Sequence, residues 1–286
     1  MDTTTDSLPT LVLGGTGHTG RRVMDRLTAR GVPARVGSRS GEPPFDWNDS
    51  RTWDPVLDGV RAVYLCCHPD LAVPGAAATV AAVAAAAVSA GAERLVLLSG
   101  RGEAEAEHAE TLVRQAGAGA AVTVVRASWF AQNFSESFLL DAVLAGELAL
   151  PVGNVREPFV DIEDIADVVV AALTEDGHAG ELYDVTGPRL LSFADAADEI
   201  AQAAGIEVRA RTVPLEEYVA GATAAGASVE ETELMAYLFT EVLDGRNESV
   251  TDGVEQALGR PATDFAVFAA RAAAEGTWTR RAAVVR

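Results

Sequence analysis

Gly14-Gly15-Thr16-Gly17-His18-Thr19-Gly20 follows an apolar run, Leu11 to Leu13, and leads into a helical pattern that begins Arg21-Arg22-Val23-Met24. Strand, glycine turn and helix start, in that order, make a cradle for a dinucleotide pyrophosphate. Glycine lets the chain turn tightly, lets backbone approach phosphate oxygens and lets the helix sit close on the strand. Free N–H groups and the positive end of the helix dipole then face the anion. A ligand-free β-to-α turn uses the same residue type, so the following residues decide between the two readings. One helix later, Val32 to Ser40 reads as a second strand ending Gly37-Ser38-Arg39-Ser40-Gly41. An acid at this tip suits a ribose diol, whereas an arginine suits a 2′-phosphate. Arg39, with Ser38 beside it, therefore predicts NADPH, and Glu42 close by leaves NADH usable.

Apolar strands at 11–14, 34–37, 62–66, 94–98 and 122–126 alternate with helices at 21–29, 76–89 and 103–116. That alternation predicts an α/β fold, a doubly wound parallel (Rossmann) sheet covered on both faces, with ligands at the carboxyl ends of the strands. Beyond Pro188 helical patterns dominate, at 193–204, 215–224 and 230–242. The expected division is a nucleotide-binding domain over 1–187, interleaved with the cap after residue 130, and a smaller, mainly helical substrate-binding cap over 188–286. Asp161 with Asp164, and Ser192 with Asp195, have the spacing of helix caps, which explains their carboxylates without acid–base chemistry.

With 49% hydrophobic residues, the 286-residue chain has ample material for a core. A net charge of −20 and a pI near 4.5 argue against nucleic acid and anionic membrane surfaces as partners, since both demand clustered cations. Residues 1–9 are polar and acidic, unlike a secretion signal, and the expected location is the cytoplasm. The uncharged stretch from Leu71 to Ala92 is mostly alanine, bounded by Pro74, Gly75 and Gly91, and reads as a helix covering the sheet. Cys66 and Cys67 are adjacent, a poor arrangement for a mutual disulfide or a zinc site, and no metal is expected. All 22 basic residues are arginine. Without lysine the chain can form no Schiff base, nor tune a tyrosine with a neighbouring ammonium group.

With these residues in place, the chain resembles the atypical short-chain dehydrogenases/reductases of the NmrA-like group, near its quinone- and azo-reductase-like members. The resemblance spans nearly the whole length. It rests on Gly14 to Gly20, on Arg39, on Val122 to Phe134, on Phe159 to Asp167, on Tyr183 to Pro188 and on Gly259 to Phe265. It implies that Gly14, Thr16, Gly17, His18, Thr19 and Gly20 hold the pyrophosphate, and that Asp46 and Trp47 border adenine. It further implies that Cys66, Cys67 and His68 follow the nicotinamide ribose and that Trp129, Phe130 and Asn133 line the substrate side.

The wider superfamily couples a serine at a strand end to a tyrosine and lysine on the next helix. Here Ser99 is present, but the helix reads Glu103-Ala104-Glu105-Ala106-Glu107-His108-Ala109-Glu110, with neither partner. The expectation is a reductase of aromatic, quinonoid or polyketide-like carbonyls, whose developing charge is delocalised or protonated internally. Ser99 is the candidate to bind the carbonyl oxygen, and His108 to donate a proton near neutral pH. The arginine- and alanine-rich composition suggests a GC-rich coding genome and, more narrowly, a ketoreductase of aromatic polyketide antibiotic biosynthesis. The competing class is a non-catalytic NADP-binding sensor that acts through a protein partner, which the missing tyrosine and lysine fit equally well. A complete cap and an aromatic segment favour the enzyme, since a sensor needs no shaped organic pocket.

Overall fold

The computed structural model describes residues 8–279. Its strands, in chain order, are β1 (Thr10–Leu13), β2 (Ala34–Gly37), β3 (Ala62–Leu65), β4 (Arg94–Gly100), β5 (Ala121–Ala127), β6 (Glu147–Leu150), β7 (Arg156–Glu157), β8 (Leu182–Val185), β9 (Leu191–Ser192) and β10 (Arg209–Thr212). The helices are α1 (His18–Ala29), α2 (Trp53–Leu57), α3 (Ala76–Ser89), α4 (Ala104–Ala116), α5 (Leu140–Ala145), α6 (Ile162–Thr174), α7 (Phe193–Ala204), α8 (Leu215–Ala224), α9 (Val229–Tyr237), α10 (Gly253–Leu258) and α11 (Phe265–Ala274). They fall into two compact units. One holds the described residues up to Ala127 with Ile162–Val185 and Asp252–Pro261; the other holds Ser128–Asp161, Thr186–Thr251 and the described residues from Ala262 onward. The units thus exchange chain at several points. Residues 128–161 join the cap-forming residues, and 252–261 return to the sheet unit.

In the first unit, six parallel strands lie in the order β2-β1-β3-β4-β5-β8. Successive side chains of a central parallel strand meet helices on alternate faces, so β1 and β3 are buried throughout. On one face Leu11, Leu13, Leu65, Leu95 and Leu97 join Val80 and Val83 of α3 and Val113 of α4 in a continuous core. On the other, α1 and α6 pack together and are tied by Arg22–Glu163 at 2.6 Å and Arg26–Asp167 at 2.5 Å. Strand order reverses between β1 and β3, the position at which sheets of this kind open a crevice for a ligand. The stretch from Leu71 to Ala92 contains α3, and no helix among the described residues is long and apolar enough to cross a membrane.

The second unit is built on aromatic rings. Phe134 stands with its centroid 5.3 Å from Phe159 and 5.6 Å from Phe265, and Phe159 lies 5.3 Å from Phe193, all edge-to-face. Trp278 is buried beneath them and donates its indole N–H to the Phe134 carbonyl at 2.9 Å. Two small sheets, β6 with β10 and β7 with β9, complete the unit. Its helices are capped as the sequence predicts at Ser192, where Ser192 and Asp195 form a reciprocal capping box, and again at Ser228 with Glu231.

Candidate functional site

The loop after β1 has the features a pyrophosphate needs. Gly14 sits at φ +71°, a left-handed conformation open to glycine and strained for other residues. A β-carbon on Gly20 would lie 2.1 Å from the Gly14 carbonyl oxygen, so only glycine lets the first turn of α1 close onto the loop. Gly17 is the N-cap of α1 and supplies no capping side chain, which leaves the helix without a side-chain acceptor at its positive end. Thr16, Gly17 and His18 are exposed at this point, whereas Thr19 is buried, its hydroxyl 3.7 Å from the Cys66 thiol. The β1 and β3 loops therefore abut at the switch point.

At the tip of β2, Ser38 anchors a tight turn, its carbonyl accepting from the Gly41 and Phe45 amides. Arg39 is exposed and makes no hydrogen bond or ion pair among the described residues. Further along, Trp47 stands edge-to-face on buried Phe45 at 5.0 Å, and the Asp46 carbonyl accepts from the Trp53 indole at 2.8 Å. Trp47 itself is half-buried and packs against the sheet core. A dinucleotide with a 2′-phosphate fits these residues: an uncapped helix end, a glycine cradle with no room for a β-carbon, and an unengaged guanidinium. Cys66 and Cys67 are free thiols; burial pushes both upward, Cys67 to about 12, so neither is a thiolate at neutral pH. His68 is exposed.

Ser99 and His108 are not brought together. The Ser99 hydroxyl, 4% exposed, donates to Glu110 Oε1 at 2.7 Å, and Glu110 also receives Arg126 Nε at 2.8 Å and Arg126 Nη2 at 2.5 Å. A hydroxyl whose one proton is given to a buried carboxylate has none to offer a carbonyl oxygen. His108 is exposed, and two residues along α4 place it about 200° around the helix from Glu110, by the 100° step of an α-helix. Ser99 instead belongs to a buried Ser99–Glu110–Arg126 triad. The spacing of Ala106, Ala109, Glu110 and Val113 on the buried face of α4 carried the signal for Glu110.

A second acidic pair went unread in the sequence. Asp70, in the loop after β3, and Glu103, the N-cap of α4 just past β4, have their carboxyls in hydrogen-bonding contact. Glu103 is 9% exposed, and its Oε2 has no hydrogen-bond partner among the described residues. Its carboxyl folds back over the end of β4, where a β-carbon on Gly100 would lie 2.1 Å from Oε1. Burial, and then the neighbouring Asp70 charge, push Glu103 up to about 8; burial raises Asp70 as well.

In the second unit the three expected substrate residues lie on the segment following β5. Trp129 is half-buried, 5.5 Å from Phe239, 5.8 Å from Phe193 and 6.1 Å from exposed Phe138; Tyr218 adds a further ring 5.1 Å from Phe239. Phe130 and Asn133 are half-buried, and the Asn133 amide donates to the Phe130 carbonyl at 3.1 Å. Ser128 and Gln132 face inward, donating to Glu157 and Asp161. Among the described residues no cluster of three metal-ligating side chains occurs.

No family model matches the sequence. Among curated proteins, the NAD(P)H azoreductase of Xenophilus azovorans is 31% identical over 287 residues, covering 93% of this chain and 99% of the relative. The uncharacterized oxidoreductase YesF of Bacillus subtilis is 30% identical over 282 residues, covering 95% and 98%. Among solved structures, an NADPH-dependent quinone oxidoreductase from Escherichia coli in complex with NADPH superposes with a TM-score of 0.76 at 18% identity, covering 92% of this chain and 99% of that one.

Proposed function

Because the chain belongs to the NmrA-like group of atypical short-chain dehydrogenases/reductases, we propose that it is an NADPH-dependent reductase of flat aromatic acceptors, azo compounds or quinonoid and phenolic carbonyls. The observation that carries this reading is the pairing of an uncapped glycine cradle with Arg39, a guanidinium that engages no acid among the described residues. NADPH supplies hydride when bound. The backbone amides at the start of α1 receive the pyrophosphate, Arg39 and Ser38 the 2′-phosphate, Asp46 and Trp47 the adenine, and residues Cys66 to His68 the nicotinamide ribose. Trp129, Phe130 and Asn133 face the acceptor. Ring stacking is worth about 0.5–1.5 kcal/mol per pair beyond the area it buries, which suits the Trp129–Phe138–Phe239–Tyr218 group to a planar substrate. A carbonyl flanked by a phenol, as in an aromatic polyketide, is protonated internally and lies within the same class.

The test is NADPH oxidation with product analysis across azo dyes, quinones and phenolic ketones. Turnover of at least one class with NADPH ahead of NADH is expected. NADP bound tightly with no turnover anywhere in the panel would leave the non-catalytic sensor as the better description.

A further inference from the structure

Reduction of a carbonyl or azo group needs one proton for every hydride, and the residues that usually supply it are missing from this chain. Ser99 has its proton committed to Glu110, and His108 sits on an exposed helix face. Two strand ends do carry a proton source. Asp70 follows β3 and Glu103 follows β4, neighbouring parallel strands whose carboxyl ends border the switch-point crevice. Two contacting carboxyls hold one proton between them, because ionising both would put like charges side by side in a poorly hydrated place. The unpartnered Oε2 of Glu103, buried among protein atoms, is the mark of a neutral carboxyl: a charged oxygen left there without a donor would be far more costly.

We propose that Asp70 and Glu103 form a proton-sharing pair that completes the reduction, taking the place of the superfamily's tyrosine and lysine. The inference rests on the reductase reading above. Glu103, the buried member, donates its O–H to the Asp70 carboxylate; Asp70, half-buried, is the member that meets substrate. The charged oxygen or nitrogen of the reduced acceptor takes a proton from Asp70 as Asp70 takes one from Glu103, leaving Glu103 as the group that has lost its O–H. One O–H bond of the pair breaks, one O–H or N–H bond forms on the product, and the pair recovers its proton from water. Asp70 is the ionisable group acting on Glu103; Asp70 in turn faces the Cys66 and Cys67 thiols, which stay neutral throughout. Arg101, between Gly100 and Glu103 in sequence, is turned to Asp184 at 3.1 Å.

Infrared titration of the intact cofactor-free protein reads the pair without any turnover. The expected result is a protonated-carboxyl band that persists at neutral pH, fades with a midpoint near 8 and is absent in Glu103→Gln. In steady state, kcat should fall as pH rises through the same midpoint, and Asp70→Asn or Glu103→Gln should lower kcat about a hundred- to ten-thousandfold with the NADPH dissociation constant unchanged. Gly100→Ala keeps both carboxyls but displaces Glu103, and should move the infrared midpoint downward even if a carboxyl variant fails to fold. Normal turnover with no protonated band at neutral pH overturns the pair alone. A band present with no NADPH oxidation by any acceptor overturns the reductase reading, and this use of the pair with it.

Discussion

Arg39 stands out because 42 carboxylates compete for 22 guanidiniums in this chain, yet it engages none of them among the described residues. Other arginines are absorbed into the fold, as Arg126 is by Glu110 and Arg260 by Asp164 and Asp167. Replacing Arg39 with alanine should weaken NADPH binding by about ten- to hundredfold, the worth of one charge-assisted hydrogen bond, with NADH affinity nearly unchanged. Isothermal titration with both nucleotides measures this, and equal losses for the two would disprove the 2′-phosphate assignment. Ser99 carries the opposite expectation. Ser99→Ala leaves Glu110 with Arg126 but takes away a buried donor, so it should lower stability by about 1–2 kcal/mol while leaving the pH profile of turnover where it was. A collapse of kcat in a fully folded Ser99→Ala protein would return Ser99 to the reaction. The sequence made Arg39 readable through its position after the glycine loop. The Ser99–Glu110 contact is hard to see in the sequence because Glu110 looks like one more acid in a charged helix until the buried spacing of α4 is counted. Glu103 and Asp70 were invisible for a different reason: residues 33 positions apart in sequence meet only when β3 and β4 pair.

Elements whose local chemistry and tertiary setting agree fall where the sequence predicts them. Ala34–Gly37, Ala76–Ser89, Phe193–Ala204 and Leu215–Ala224 match residue for residue. Others depend on distant partners. β8 is a four-residue strand that exists by pairing with β5, and the helix expected over 230–242 is α9 followed by a π-helical turn at Leu238–Val242 that buries Phe239. The α1–α6 seam also goes beyond sequence pattern: Arg22 and Arg26 meet Glu163 and Asp167, and Arg260 reaches Asp164, 1% exposed, at 2.7 Å. Arg260→Ala should therefore cost up to about 3 kcal/mol, read as a lower urea midpoint at unchanged slope. Burial opposes the Glu163 charge, but Arg22 and Arg26 outweigh it and hold its carboxyl below the usual range. A folded-state pKa below the unfolded one means stability that is present above the unfolded value and lost as pH falls through the folded value. The seam should loosen in acid, and Glu163→Gln should flatten the acid limb of the stability curve. An unchanged limb would show that the ion pairs contribute nothing there.

Along the chain the two units interleave, and a cut after residue 187 divides the core of the second unit and removes 252–261 from the first. A piece ending at residue 187 would keep Phe134, Phe159, Val143 and Leu148 but lose Phe193, Ile200, Phe265 and Trp278, the residues that bury them. It would also lose α10, whose Gly253 sits so close to β8 that a β-carbon there would lie 2.2 Å from the Asp184 carbonyl oxygen, and Arg260, which pairs with α6. Burying a large apolar side chain is worth about 1.5–3 kcal/mol, so stranding four of them costs an amount comparable to the roughly 5–15 kcal/mol that stabilises a typical domain. The 1–187 piece should accordingly bind a hydrophobic dye, aggregate and unfold without a cooperative transition, whereas the full chain melts cooperatively. Calorimetry and gel filtration of the two decide it. A monomeric 1–187 fragment with a sharp transition of its own would mean that the sheet unit carries its stability without the returning 252–261 segment, and that the shared threading is incidental to the fold.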